Sequence, residues 1–105
     1  MIRDLGPDAN GCPTEEWDVD GQRVIVHYDD VPETDITTVR GVRVTTPLRT
    51  AIDLASSLST SELEDLVSSF MGRDLFTREA ARSRLAQPDM RTHPGARVLR
   101  AHLGL

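Results

Sequence analysis

The residue types that carry catalytic or metal-binding chemistry are few and scattered in this 105-residue sequence. The histidines, His27, His93 and His102, have no cysteine or second histidine at metal-ligand spacing, and no serine lies in a Gly-x-Ser-x-Gly turn. We interpret all three as isolated surface histidines. The single cysteine, Cys12, excludes an intramolecular disulfide. The sequence therefore predicts neither an enzyme nor a protein that binds a metal or cofactor.

Adjacent carboxylates occur three times, and each pair has the surroundings of a solvated surface. Glu15-Glu16 begins a predicted strand, Asp29-Asp30 lies in a predicted loop, and Glu64-Asp65 lies on the outer face of a predicted helix. Neighbours along the chain do not by themselves bring two carboxyl groups to opposite sides of a reacting bond, as acid/base catalysis requires. We interpret these pairs as surface charge.

Charge is distributed unevenly along the chain, although the net charge is −5. Residues 1–35 contain ten of the 17 acidic groups and only two arginines, whereas residues 36–105 contain ten of the 12 arginines. The sequence contains no lysine. The helices of the C-terminal part carry a candidate nucleic-acid or partner surface: Arg78, Arg82, Arg84, Arg97 and Arg100. An acidic chain disfavours non-specific binding to phosphate backbones, so DNA is the less favoured partner.

The elements that position these residues begin with two hairpins. Residues 1–14 are rich in Gly and Pro and poor in large apolar groups, which predicts a flexible tail. Residues 17–27 predict a hairpin about Asp20-Gly21, in which Trp17 faces Val24 and Glu15 faces Val26. A second hairpin joins residues 36–39 to 42–45 through Arg40-Gly41. The sequence leaves open whether the two hairpins pair with each other.

A helix begins directly after the second hairpin. Thr46 has the character of an N-cap, and Pro47 occupies the first helical position, where a missing N–H costs nothing. The apolar residues that follow have helical spacing and predict one buried face: Leu48, Ala51, Ile52, Ala55 and Leu58. Arg49 and Asp53 lie one turn apart, and we expect them to form an exposed pair on the opposite side.

Three further helices are predicted in residues 59–105. Ser59 and Glu62 have capping-box spacing, and the helix they open ends near Gly72. Its buried stripe is Leu63, Leu66, Val67, Phe70 and Met71. The next helix should start at Thr77 and end before Pro88, with Ala80, Ala81 and Leu85 inward and Arg78, Arg82 and Arg84 in water. The last should begin near Thr92 or Pro94, with Val98, Leu99 and Leu103 inward and Arg97 and Arg100 outward.

These patterns predict an α+β fold, in which a small antiparallel sheet of two β-hairpins is followed by three or four short packed helices. The helices should pack on the apolar face of the sheet. We expect residues 15–105 to form a single domain, with hairpins in 15–45 and helices in 46–105. No apolar run is long enough for a signal peptide or a membrane span, so we expect a cytoplasmic protein that does not enter membranes.

The junction between sheet and helix resembles a known family. Residues 41–55 match Gly-x-x-Val-Thr-(Thr or Ser)-Pro-x-Arg-Thr-x-x-Asp-Leu-Ala, a signature of the AbiEi-like abortive-infection antitoxins of type IV toxin-antitoxin systems, most closely their actinobacterial branch. We refer below to these matching positions as the structural signature: Gly41, Thr45, Thr46, Pro47, Arg49, Thr50 and Asp53. The likeness extends over residues 27–105, with Pro32, Asp35, Thr38, Val39 and Val44 among the matching positions.

The resemblance implies a connecting domain without catalytic groups. In the family, the antitoxin counters a nucleotidyltransferase toxin and represses its own operon. Actinobacterial relatives typically carry a winged-helix domain before this region and a nuclease-like domain after it, and we expect neither here. The expected function is a non-catalytic regulatory or interaction domain of the antitoxin type. The alternatives are a small DNA-binding regulator that uses the arginine-rich helices, and a structural remnant of a nuclease-fused protein.

Overall fold

A computed structural model describes residues 2–27 and 31–105 of the chain. The fold is α+β, as predicted, with one three-stranded antiparallel sheet, one two-stranded antiparallel sheet and four α-helices. Where the sequence predicts one domain over residues 15–105, the chain divides into two compact units, Met1–Val31 and Pro32–Leu105. The Asp29-Asp30 pair lies outside the described residues.

The first unit is a three-stranded sheet in the order β1-β2-β3, with strands β1 (Ile2–Pro7), β2 (Pro13–Val19) and β3 (Gln22–His27). The predicted hairpin between β2 and β3 is confirmed, including its register: Trp17 faces Val24 and Glu15 faces Val26. Asp20 and Gly21 have φ angles of 51° and 77°, the pair of positive values that a two-residue type I′ turn needs.

The prediction of a flexible tail over residues 1–14 is wrong, because β1 pairs with β2 along its length. Composition did not reveal how the loop between these strands is closed. Asp8 Oδ1 accepts hydrogen bonds from the Asn10 and Cys12 amides at 2.8 and 2.9 Å, and its Oδ2 lies 2.8 Å from His27 Nδ1. Thr14, which is buried, donates its hydroxyl to the Gly6 carbonyl at 2.7 Å. One carboxylate thus binds two backbone amides that a Gly-rich loop would otherwise leave to water.

The second unit opens with a 3-10 turn, Glu33–Asp35, which leads into strands β4 (Ile36–Val39) and β5 (Val42–Thr45). The predicted hairpin and its turn are confirmed, with φ angles of 51° at Arg40 and 79° at Gly41. These two strands form a sheet of their own, which settles the pairing that the sequence left open.

Four helices complete the second unit: α1 (Pro47–Ala55), α2 (Thr60–Gly72), α3 (Arg78–Leu85) and α4 (Pro94–Leu103). The predicted N-caps of the first three are confirmed, because Thr46, Ser59 and Thr77 each accept a hydrogen bond from a first-turn amide. Ser59 and Glu62 form the full capping box. A short 3-10 turn, Pro88–Met90, separates α3 from α4.

The core of the second unit lies among its helices. The buried apolar residues are Ala51, Ile52, Ala55, Leu63, Val67, Phe76, Ala81, Leu85, Met90, Ala96 and Leu99, with Leu48, Leu58, Leu66, Phe70 and Met71 packed against them. The predicted faces of α1 and α2 are therefore confirmed. Gly95 permits a close approach of α4 to α1, because a Cβ at this position would lie 1.8 Å from the Ile52 carbonyl oxygen.

The helices do not form their core on the apolar face of the β4–β5 hairpin, contrary to expectation. Val39 and Val42 are 54% and 61% exposed, and no strand residue is among the buried apolar residues of the described chain. Two predicted inward positions are also wrong, because Ala80 and Val98 are exposed. The helices bury their apolar surface against one another. Ala80 and Val98 lie on the flanks of the buried stripes of α3 and α4.

Candidate functional site: a buried ionic network and an arginine-lined helix face

Asp35 is the centre of a buried group of charges. It ends the 3-10 turn before β4, and only 3% of its surface is exposed. Its carboxylate accepts hydrogen bonds from Arg49 Nη1 at 2.9 Å, from Arg84 Nε at 2.9 Å and from Arg84 Nη2 at 2.7 Å. Its backbone carbonyl accepts the Thr46 amide at 2.8 Å. Asp35 therefore joins the start of the hairpin to both α1 and α3.

Arg49 is 2% exposed, so the prediction that Arg49 and Asp53 form an exposed pair is wrong. The pair itself exists, with Arg49 Nε 2.9 Å from Asp53 Oδ1. The error has a physical cause: Asp35, fourteen residues earlier, supplies a second carboxylate that compensates the guanidinium away from water. The spacing of residues along a helix predicts only ion pairs within that helix.

Arg84 was expected in water but is 6% exposed. All five of its N–H groups have acceptors: two reach Asp35, two reach the Asp89 carboxylate at 2.7 and 2.8 Å, and one reaches Gln87 Oε1 at 2.8 Å. A guanidinium has five donors in a rigid plane, and here every one is satisfied. This complete set of partners explains how a residue on the polar side of a short helix becomes buried.

His93 connects the same group of charges to α4. Its Nδ1 accepts hydrogen bonds from the Gly95 and Ala96 amides at 3.1 and 3.4 Å, so the ring caps the helix N-terminus. The proton must then reside on Nε2, which lies 3.0 Å from Asp53 Oδ1 and donates to it. The interpretation of His93 as an isolated surface histidine is therefore wrong. We refer to Asp35, Arg49, Asp53, Arg84, Asp89 and His93 as the ionic network.

The pKa values of the network carboxylates follow from these contacts. Burial of Asp35 opposes its ionisation, but hydrogen bonds from Arg84 and Arg49 outweigh burial, and the pKa of Asp35 is lowered from its ordinary 3.8. The hydrogen bonds from Arg84 likewise lower the pKa of Asp89. These bonds to Asp89 and Asp35 raise the pKa of Arg84 further above its already high value. Asp35, Asp89 and Arg84 are therefore charged at neutral pH, and they are engaged with one another instead of facing a cleft.

Most of the other signature residues lie at the joint between β5 and α1, where Pro47 occupies the first position of α1. Gly41 lies apart from them, in the hairpin turn between β4 and β5. The Thr50 hydroxyl donates to the Thr46 carbonyl at 3.0 Å, so the Thr45 hydroxyl, 2.7 Å away, donates to Thr50. The Arg49 amide donates to Thr46 Oγ1 at 3.2 Å. The structure thus brings the predicted signature together except for Gly41, and hydrogen bonds of the threonine side chains stabilise the joint between β5 and α1.

The predicted arginine surface is only partly retained. Arg84 belongs to the ionic network and is not available to a ligand. Arg78 donates to the Leu103 carbonyl at the end of α4, and Arg100 donates to the Leu85 carbonyl at the end of α3. Each of these two arginines therefore satisfies a carbonyl at the C-terminus of the other helix, where a cation is favoured. Arg82 and Arg97 are exposed.

Sequence reasoning did not assign Asp35, Asp89, His93 or Arg91 to a site. Asp35 was among the matching positions of the resemblance, but nothing in its local pattern showed that two arginines would reach it. His93 had a usable signal, because it directly precedes Pro94, the first residue of a helix.

Arg91 lies beside Arg97 and Arg100 at a shallow depression next to α4. Arg91, Arg97, Arg100 and Arg82 are called the arginine-lined face below.

The fold is an α+β arrangement with a buried ionic network and an exposed arginine-lined face. Comparisons with protein-family models, with curated proteins and with solved structures find no match for this chain. Within residues 2–27 and 31–105, no cluster of three or more His, Cys, Asp or Glu side chains is arranged to hold a metal ion. The same residues contain no helix of the length and apolarity that a membrane crossing requires.

Proposed function

We propose that this chain is a non-catalytic regulatory and interaction domain of the antitoxin type, acting in the cytoplasm within a type IV toxin-antitoxin system that includes a nucleotidyltransferase toxin. The observation that carries the proposal is the use of the signature residues. Thr45, Thr46, Arg49, Thr50 and Asp53 all direct side-chain hydrogen bonds into the joint between β5 and α1 or into the ionic network. Residues used in this way determine the shape of a domain, as expected of the connecting domain that the resemblance implies.

The ionic network supports an interaction role through rigidity. It links the 3-10 turn, α1, α3 and the N-terminus of α4, four segments that are distant in the sequence. A buried polar network with all of its partners in place favours a single arrangement of the elements it joins. Helix α4 is thereby held at its start, and its outer face is presented in a fixed orientation, which reduces the ordering cost of binding a partner.

A growth-rescue assay tests the proposal. The chain is co-expressed with a nucleotidyltransferase toxin encoded beside its gene, under separate inducers, and growth is compared with cells that carry the toxin alone or an inactive toxin variant. We expect the chain to restore growth against the active toxin. The variant Asp65→Asn, at an exposed position of α2, should rescue equally well. Growth arrest that persists while the chain is present and folded would contradict the antitoxin role.

One observation favours a second candidate function, DNA binding. The guanidinium groups of Arg82, Arg91 and Arg97 form no ion pair with the described part of the chain, so they are available to phosphates. Against this, the chain is acidic overall, and Arg84 is withdrawn from the surface. Retention on a DNA column at low salt tests the second function. We expect the chain to pass through, and retention that is lost in Arg97→Glu would favour the DNA-binding function.

A further inference from the structure

The outer face of α4 bears a continuous series of three shallow depressions. The first lies between α3 and α4 and is lined by Arg82, Leu85, Ala86 and Arg100. The second lies between the Pro88–Met90 turn and α4 and is lined by Met90, Arg91, Arg97 and Arg100. The third lies between α2 and α4 and is lined by Leu58, Leu63, Arg97, Val98 and His102. Arg100 and Arg97 are each shared by two depressions, so the three form one surface.

The charged residues described at this surface are basic. Four arginines line the three depressions, together with His102, and no aspartate or glutamate is among the lining residues that the structure describes. Arg100 is held in place by its hydrogen bond to the Leu85 carbonyl, whereas Arg82, Arg91 and Arg97 project without an ion-pair partner among the described residues. Uncompensated guanidinium groups attract carboxylates or phosphates, to which they donate paired hydrogen bonds.

Each depression also has an apolar lining. Leu63, Leu85 and Met90, which line one depression each, are buried, and Val98, which was expected inside, is 39% exposed and lines the third. Single-stranded nucleic acid is held by stacking its bases on aromatic rings, and no phenylalanine, tyrosine or tryptophan of the described part of the chain lines this surface. Contacts to the phosphates of a duplex need no aliphatic depressions. Aliphatic pockets between cations instead fit the apolar side chains of a peptide that also carries carboxylates.

The length of the face agrees with a helical occupant. Helix α4 has ten residues, which corresponds to about 15 Å at 1.5 Å per residue. A partner helix of similar length presents apolar side chains at positions i, i+4 and i+7, which can enter depressions that adjoin one another through Arg97 and Arg100. We propose that the arginine-lined face binds an acidic amphipathic helix of a partner protein, with its carboxylates on the arginines and its aliphatic side chains in the three depressions. This inference rests on the proposed function in treating the chain as an interaction domain.

Fluorescence anisotropy with the full chain tests the proposal. The probe is a fluorescein-labelled, helix-forming peptide of about 15 residues, with Leu on one face and Glu on the other. We expect saturable binding that weakens about tenfold or more in Arg91→Glu/Arg97→Glu. The matched control is Arg73→Glu, which reverses an exposed arginine outside the face and should change the affinity less than about twofold. Circular dichroism of each variant establishes that it is folded.

Three comparison probes decide the chemistry of the ligand. A peptide with Gln in place of Glu and a peptide with Ser in place of Leu should each lose most of the binding. A labelled DNA duplex should bind more weakly than the acidic peptide. The proposal is overturned if no peptide binding is seen, if the Gln peptide binds equally well, or if the duplex binds more tightly and depends on Arg91 and Arg97. Growth rescue without peptide binding would contradict only the proposed peptide surface. Peptide binding without growth rescue would contradict only the antitoxin role.

Discussion

Replacing Asp35 by Asn should cost the second unit a large part of its stability. The substitution keeps the size of the side chain, but it removes the negative charge between Arg49 and Arg84 and exchanges one acceptor oxygen for an NH2 group. That NH2 group would face guanidinium N–H donors, which cannot accept its hydrogens. Because Asp35 is 3% exposed, water cannot easily replace the lost partner.

The magnitude follows from the contacts that are lost and those that remain. Asp35 accepts three hydrogen bonds from charged donors, each worth about 1.5–3 kcal/mol, which sets an upper limit of about 9 kcal/mol. Arg49 retains Asp53, and Arg84 retains Asp89 and Gln87, so neither charge is left without compensation. We therefore expect a loss of about 3–4 kcal/mol, the lower part of the range for a broken buried ion pair. A domain of this size is stable by roughly 5–10 kcal/mol.

The two units can be followed separately during urea denaturation. All four α-helices lie in the second unit, so far-ultraviolet circular dichroism reports its unfolding. Trp17, the only tryptophan, lies on β2, so its fluorescence reports on the first unit. Asp35→Asn should shift the unfolding transition seen by circular dichroism to lower urea concentration. The control Asp65→Asn should change the free energy of unfolding by less than about 0.5 kcal/mol. A loss below about 1 kcal/mol for Asp35→Asn would refute the reasoning.

Three further predictions concern the network and the helices around it. Because the pKa of Asp35 is lower in the folded state, its contribution to stability is complete above the unfolded-state pKa of about 3.9 and is lost as the pH falls through the lower folded value. Below pH ~4, the free energy of unfolding should therefore fall less in Asp35→Asn than in wild type during an acid titration. Equal falls in the two proteins would count against the network. Gly95→Ala should lower the free energy of unfolding by about 2–3 kcal/mol, because its Cβ would lie 1.8 Å from the Ile52 carbonyl oxygen. The control Gly72→Ala, whose Cβ would meet nothing within 4 Å, should not lower it. Equal effects of the two substitutions in urea denaturation would disprove the close approach of α4 to α1. Thr46→Ala should cost about 1 kcal/mol in the same assay through loss of the α1 cap, and an unchanged stability would show that the cap is not needed.

Local patterns predicted the elements of this chain well. Both two-residue turns, at Asp20-Gly21 and Arg40-Gly41, end in a Gly that tolerates a positive φ angle, and Asp20 adds a second tolerant residue to the first turn; these dipeptides predicted the registers of both hairpins, although Arg40 also has a positive φ angle. The caps of the first three helices were visible because a hydroxyl residue stands directly before each apolar stripe. Strand β1 was missed because its pairing depends on Asp8, whose carboxylate closes a loop that composition alone describes as flexible.

The ionic network could not be predicted from the same patterns. Arg49 and Arg84 lie on helix faces that periodicity assigns to water, and both become buried through Asp35, which is 14 and 49 residues away from them in sequence. Whether a charged side chain is solvated or compensated by a distant partner depends on tertiary contacts, which have no local period. The same limitation explains Val98, which has an apolar side chain at a position that the packing of α4 leaves exposed.

A double-mutant cycle between Asp35 and Arg84 is the most direct test of the claim that a buried ionic network organises the second unit. The free energies of unfolding of wild type, Asp35→Asn, Arg84→Met and the double variant are measured by circular dichroism in urea. We expect a coupling energy of about 2–3 kcal/mol, so that Asp35→Asn costs much less once Arg84 is absent. A coupling energy below about 0.5 kcal/mol would show that the two residues act independently and would contradict the account.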